Sequence, residues 1–315
     1  MIRTAVRHFE RLFESERRRL WGVAYRLTGS AADADDVLQE TFARALDHPP
    51  SGGGGDDADW RPWLMRIAVN LARDGYRRRR RRGYAGVWLP AAVETGAGGL
   101  LDEDEPPAHD PPEARYQRLE SVTFAFLLAL EVLTPRQRAV LLLRDVFDYS
   151  VRETAAALDL GEANVKVTHH RARAAMSGYD SARCRPDAER RARTQLALGR
   201  LVAALGAADV AAVEALLAAE VRALGDGGGE FFAARDPVLG ATRVARFACQ
   251  LSRKQRALAA ELREINGLPA LLMRFAPIAP GYPPRCVFRV DVDEAGRICA
   301  VHSLLASDKL RALRF

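Results

Sequence analysis

At 315 residues, 48% hydrophobic and 28% charged, the chain is long enough for two or three domains with packed cores and too apolar for a disordered protein. The formal charge of +6 is modest, but positions 77–82 are all arginine, whereas 91–113 carries Glu94, Asp102, Glu103, Asp104, Glu105, Asp110 and Glu113 with no Lys or Arg; this sets a polyanion-binding surface beside an acidic tether. Cys184, Cys249, Cys286 and Cys299 are too scattered for a disulfide framework or a zinc site, and no apolar run approaches the roughly 20 residues of a membrane span or forms a secretion leader. The expectation is a protein of the reducing cytoplasm with no membrane, metal or cofactor.

Apolar residues at three- and four-residue spacing, Val6, Phe9, Phe13, Leu20, Val23, Ala24 and Leu27, predict a first helix that stops at Gly29. A second begins near Ala32 and buries Val37, Leu38, Phe42 and Leu46, until the HPPSGGGG run at 48–55 breaks it. The third covers 60–82, tolerates Pro62 in its first turn, and turns Trp63, Leu64, Ile67, Leu71 and Tyr76 inward. Residues 83–112 are rich in Gly, Pro and acid and are expected to form a flexible linker. Helical periodicity resumes at 113 and runs to about 176, and a second break spans 181–187. Beyond it, helices at 188–205 and 209–219 give way to strand-like runs at 258–265, 270–275, 286–292 and 298–304, an α+β pattern of helices followed by antiparallel strands.

The most chemically informative segment is 150–173, SVRETAAALDLGEANVKVTHHRAR. A helix-turn-helix needs a small residue in its first helix, a left-handed turn residue, and an apolar residue that locks the second helix, and Ala155, Asp159 and Val165 occupy those places. The helix from about 163 presents Asn164, Lys166, Thr168, His170, Arg171 and Arg173, donors suited to base edges and phosphates. A solvated surface would also be polar, but turn geometry and donor placement agree on DNA. His169 falls on the inward stripe with 165, 172 and 176 and is expected to pack.

Arg66, Arg73 and the arginines at 77–82 make the third helix an electrostatic track for phosphates. Trp60, Trp63 and Tyr76 share that helix and could stack on unpaired bases, with a core role equally open for Trp63. Asp33, Asp35, Asp36, Gln39 and Glu40 open the second helix, where acids favour any first turn through the helix dipole.

These three segments in this order resemble the extracytoplasmic-function sigma factors. Residues 25–46 are similar to the core of sigma region 2, 60–82 to its promoter-melting end, and 133–173 to region 4, so the resemblance covers roughly the first 180 residues. It implies RNA polymerase core, through its β and β′ subunits, and promoter DNA, double-stranded and melted, as partners. Asp33, Asp35, Asp36, Gln39 and Glu40 would form the polymerase-binding surface. The loop 47–59 would capture an extruded minus-10 base, with Trp60, Asn70, Arg73, Arg77, Arg78 and Arg80 as the melting surface, and the helix from 163 would read the minus-35 element.

The last third resembles the SnoaL-like, NTF2-fold extension of one sigma subgroup. The YAGVWLP stretch at 84–90 is similar to that subgroup's linker motif, DGGG at 226–229 to its glycine motif and DKL at 308–310 to its last motif, which makes Trp88, Leu89, Pro90, Asp226, Gly227, Gly228, Asp308 and Lys309 regulatory contacts. The implied layout is sigma region 2 at 1–82, a linker at 83–112, a region 4 helix-turn-helix at 113–180, and a SnoaL-like regulatory domain at 187–315: two all-α modules followed by an α+β cone. That cone hosts enzymes and binders alike. Asp226, Glu230, Asp291 and His302 are its titratable candidates, each more easily a loop or surface residue than a catalyst, and a small ligand in its pocket is left open. Whole-chain alternatives are a helix-turn-helix regulator that is not a sigma subunit, or an enzyme or binder fused to a DNA-binding module.

Overall fold

The structure, a computed structural model, describes residues 2–48, 60–84, 86–95 and 115–315. The side chains of Val6 and Phe9 and most of the expected base-capture loop lie outside the described residues. The chain divides into two compact units, Met1–Gly83 with Glu103–Cys184, and Tyr84–Asp102 with Arg185–Phe315.

The first unit opens with α1 (Ile2–Thr28), α2 (Ala31–Asp47) and α3 (Trp60–Arg82). Gly29, at φ 68°, ends α1, and Ser30 caps α2 by accepting from the Asp33 amide. Leu20, Val23, Ala24 and Leu27 pack with Ala34, Val37 and Phe42 as the apolar spacing predicts. Leu46 does not join them: it is 62% exposed, on the side of α2 turned from α1 and α3. Phe13 is at the margin, edge-on to Phe42 at 4.8 Å. The buried face of α3 is Trp60, Leu64, Met65, Ala68, Val69, Ala72 and Tyr76, while Trp63, Ile67 and Leu71 are only half-covered. The predicted stripe is rotated because α3 serves two sets of neighbours, α1 and α2 on one side and α5 and α6 on the other.

Those latter helices follow α4 (Phe124–Ala129) as α5 (Pro135–Asp145), α6 (Val151–Leu158), α7 (Glu162–Ala175) and the short α8 (Ser177–Asp180). Capping boxes start α5, from Thr134 and Gln137, and α6, from Ser150 and Glu153. Arg138 of α5 is buried, donates to the Leu27 carbonyl at 2.9 Å and to Glu131 at 2.7 Å, and lies 4.2 Å over the Tyr76 ring. Arg79 also donates to Glu131, at 3.0 Å. Burial would raise the Glu131 pKa, but Arg138 and Arg79 together outweigh it and hold the carboxyl below its ordinary range.

The second unit contains α9 (Ala188–Gly206), α10 (Val210–Ala215), β1 (Leu217–Asp226), β2 (Val238–Leu239), α11 (Ala241–Lys254), β3 (Ala257–Ile265), β4 (Leu268–Phe275), β5 (Arg285–Val292) and β6 (Ile298–Leu304). One sheet runs in the order β2-β1-β6-β5-β4-β3. Its core joins Ala197, Leu198 and Leu201 of α9, Val213 of α10 and Val244 and Cys249 of α11 to Val221, Val290 and Val301 of the sheet. Asn266 and Gly267, at φ 52° and 79°, make the tight β3–β4 hairpin that an Asn-Gly pair favours.

Four expectations are corrected here. The helix at 209–219 ends at Ala215, and β1 starts at Leu217; its Ala, Leu and Glu residues favour a helix locally, but pairing with β6 overrides them. The sheet is mixed, since β1 and β6 are parallel, and β2 and α11 lie where no element was expected. Residues 86–95 are no free linker, for Leu89, Ala91, Ala92 and Val93 are buried, the Thr95 amide donates to the Glu264 carbonyl and the Asn266 amide to that of Val93; the remainder of the expected linker, 96–112, lies outside the described residues. Apolar side chains among the Gly and Pro residues give this stretch a face to bury. Lastly, Asp226 and His302, read as loop or surface groups, are 0% and 2% exposed. Among the described residues, no helix is long and apolar enough to cross a membrane.

Candidate nucleic-acid and polymerase interfaces

Within the helix-turn-helix, Asp159 adopts φ 54° and ψ 54°, Ala155 is buried against the neighbouring helix, and Val165 is fully buried. Val165, Thr168, Ala172 and Met176 form the inner stripe of the recognition segment, which leaves Asn164, Lys166, His170 and Arg171 exposed on α7. Thr168 does not join them: it is buried, and its hydroxyl donates to Asn164 Oδ1 at 3.0 Å, so it orients a neighbour instead of touching a base. Arg173 is also diverted, since its guanidinium grips Asp145 of α5 at 2.5 and 3.1 Å. His169 meets the same carboxylate at 2.9 Å. Burial would push the Asp145 pKa up, but the hydrogen bonds from His169 and Arg173 prevail and keep it ionised below the usual carboxylate range. The residue that the donor pattern missed is Val167, 51% exposed in the middle of the outer face.

On α3, Arg77, Arg78 and Arg80 are exposed, and Asn70 and Arg73 are half-buried. Arg80 also donates to the Leu133 carbonyl at 3.1 Å, so it is tied to the turn that precedes α5. Trp60 and Tyr76 are 7% and 1% exposed, so neither can stack on an unpaired base as expected from the sequence. Trp60 sits edge-on to half-buried Trp63 at 6.0 Å, and Tyr76 is enclosed by Arg79, Arg80 and Arg138. Aromatic rings bury the most apolar area of any side chains on this helix, and the first unit's core takes them.

On α2, Asp35, Asp36, Gln39 and Glu40 are exposed along one side, and Asp33 is half-buried at the capped end. Asp35 accepts from Trp21 Nε1 at 2.7 Å, and Glu40 pairs with Arg44 at 2.7 Å. The cluster is therefore an acidic ridge on a rigid helix, with Asp35 fixed by a buried indole.

In the second unit, Asp226 is a buried hub. It accepts from the Tyr84 hydroxyl at 2.7 Å, the Leu89 amide at 2.7 Å, the Gly228 amide at 3.0 Å and Lys309 Nζ at 2.5 Å. Lys309 also donates to the Leu89 carbonyl and faces the rings of Tyr84 and Trp88 at 4.4 and 4.8 Å. Gly227 and Gly228 permit this closeness: a Cβ on Gly227 would clash with the Phe231 carbonyl oxygen, and one on Gly228 would meet Ala306 at 2.8 Å. The three stretches 84–90, 226–229 and 308–310 thus converge, with Pro90 buried and Asp308 exposed at the edge. A cavity of about 670 Å³ beside them is lined by Gly86, Gly225, Gly227, Gly229 and residues 231–235. Glu230 is spent on Ser307 at 2.8 Å. Asp291 lies 2.7 Å from Arg289 and 3.8 Å from His302, whose pKa burial pushes down to about 4 against the opposing pull of Asp291.

The family model for sigma-70 region 2 matches residues 12–82, and that for sigma-70 region 4 matches residues 123–176. The chain is 33% identical over 306 residues to the ECF RNA polymerase sigma factor SigJ of Mycobacterium tuberculosis, covering 94% of this chain and 91% of that protein. It is 37% identical over 219 residues to SigG of the same species, covering 66% of this chain and 58% of the relative. The crystal structure of Mycobacterium tuberculosis SigJ superposes with a TM-score of 0.67 at 28% identity, covering 95% of this chain and 97% of that one.

Proposed function

Because this chain belongs to the extracytoplasmic-function RNA polymerase sigma factors, a family that serves transcription initiation with core polymerase and promoter DNA, we propose a role for each surface described above. The acidic ridge of Asp33, Asp35, Asp36, Gln39 and Glu40 docks on the polymerase core, through its β′ subunit, while region 4 engages β. Asn70, Arg73, Arg77, Arg78 and Arg80 hold the minus-10 strands. Asn164, Lys166, His170 and Arg171 read and grip the minus-35 element, with Thr168 and Arg173 as supports.

The second unit regulates these modules in cis by fastening the stretch that follows region 2. The observation that carries this reading is Asp226, which holds Tyr84 and Leu89 from that stretch and Lys309 from the chain's end on one buried carboxylate. A non-enzymatic role fits, since Asp226 and Glu230 are committed to structural partners. A small ligand in the adjoining cavity would act on the same fastening.

Run-off transcription with purified core polymerase tests both parts. The intact chain should start transcripts from a cognate promoter without any other sigma factor, and Asp226→Ala should change that output while leaving core binding intact. Failure to associate with core enzyme defeats the sigma reading; unchanged output from Asp226→Ala defeats regulation in cis.

A further inference from the structure

Val167 is an exposed branched apolar residue at the centre of a surface that otherwise carries donors and small alanines. The buried stripe of α7 is Val165, Thr168, Ala172 and Met176. At about 100° per residue, Val167 falls nearly opposite that stripe, with Ala163, His170 and Ala174 beside it and Asn164 and Arg171 on its flank. Small alanines on this ridge let the helix axis approach a groove floor closely. A β-branched residue is a poor choice for a solvated helix surface, where it loses rotamer freedom and gains no burial. Its place is explained if the surface is covered in use.

The neighbour's chemistry narrows what covers it. Asn164 Oδ1 already accepts from the Thr168 hydroxyl at 3.0 Å, so the amide group of Asn164 offers its N–H donors outward. Asn164 and Val167 are three residues apart and share a face. A donor beside an apolar group matches the major-groove edge of thymine, which presents the O4 acceptor next to the C5 methyl, the one apolar group that any base displays there. Adenine, whose paired contact needs both an acceptor and a donor from Asn, fits this arrangement poorly.

We propose that Asn164 and Val167 together read one thymine of the minus-35 element, Val167 by packing on its methyl group, which makes Val167 a specificity-determining residue. The inference rests on the reading of α7 as the minus-35 reader.

The test uses holoenzyme reconstituted from the full chain and core polymerase, with a promoter duplex selected by that holoenzyme from a pool randomised in the minus-35 region. Each thymine there is replaced in turn by deoxyuridine, which removes only the methyl group. The expected result is one position at which binding weakens about fourfold, the worth of one buried methyl. Val167→Ala should weaken binding to the unmodified duplex by a similar factor and abolish the deoxyuridine effect at that position alone. The substitution favours the helix and leaves the folded core untouched, so a loss of folding would not confuse the outcome. Insensitivity to every deoxyuridine, or full sensitivity retained in Val167→Ala, overturns the proposal. Asn164→Ala and Arg171→Ala separate the two levels. If they weaken binding while deoxyuridine does nothing, only the thymine inference falls; if they too have no effect, α7 is not the reader and the parent assignment falls with it.

Discussion

Replacing Asp226 with alanine should release the stretch 86–95 from the rest of the second unit, and the size of the effect follows from what is left behind. The wild-type carboxylate takes four hydrogen bonds, one of them from buried Lys309. Without it, the ammonium keeps the Leu89 carbonyl and two ring faces, while the amide of Leu89 and the hydroxyl of Tyr84 lose an acceptor. Breaking one side of a buried ion pair costs about 3–5 kcal/mol, most of it the stranded charge. Lys309→Met should cost less, about 2 kcal/mol, because Asp226 would retain three donors. The double variant removes both charges, so its cost should fall about 2 kcal/mol short of the sum of the two single costs. Native-state hydrogen exchange on peptides spanning 86–95 of the full chain reads the opening free energy directly. Strictly additive single costs would refute the argument that Asp226 and Lys309 stabilise this stretch as a pair.

Three further outcomes are expected. Burial lowers the His302 pKa to about 4, below its unfolded value of about 6.5, so the unfolded state takes up the proton first as the pH falls. Stability of the second unit is fully present above about pH 6.5 and drains towards pH 4 by about 3 kcal/mol, and urea midpoints should lose that dependence in His302→Gln. Asp159→Gly should stabilise the chain by about 1 kcal/mol in a denaturant titration, since a left-handed Asp carries strain that glycine does not. Arg77→Ala and Arg78→Ala should each lower the slope of log affinity against log salt by about 1, equally for all promoter sequences; an unchanged slope would take those arginines off the phosphate track.

Much of this architecture is legible in the sequence where a local rule and the tertiary context agree. The helix-turn-helix is an example: Ala155, Asp159 and Val165 each satisfy a local steric need, and the structure leaves Ala155 and Val165 buried and Asp159 left-handed. The strand expected at 286–292 is found to within one residue because Val290 and Val292 alternate with Arg289 and Asp291. β1 escapes detection, as its Ala, Leu and Glu residues favour a helix until β6 pairs with them. α11 carries only a short apolar signal, with Val244, Ala245 and Cys249 at helical spacing among charged residues. Among site residues, Thr168 and Arg173 misled because a donor on a helix can serve the protein as readily as DNA. Trp60 and Tyr76 misled because composition alone does not tell a buried ring from a presented one.

The antiparallel bridge between Glu94 and Ile265, with the buried run before it, changes what counts as a removable part. Cutting the gene after region 4 would discard the sheet but keep 84–95, leaving Leu89, Ala91, Ala92 and Val93 without the partners that cover them. Such a truncated product would carry a sticky apolar strand between its two promoter-directed modules. Reading order along the polypeptide is thus interleaved: the third module begins before the second has been translated, and its assembly waits on β3, Asp226 and Lys309 far downstream.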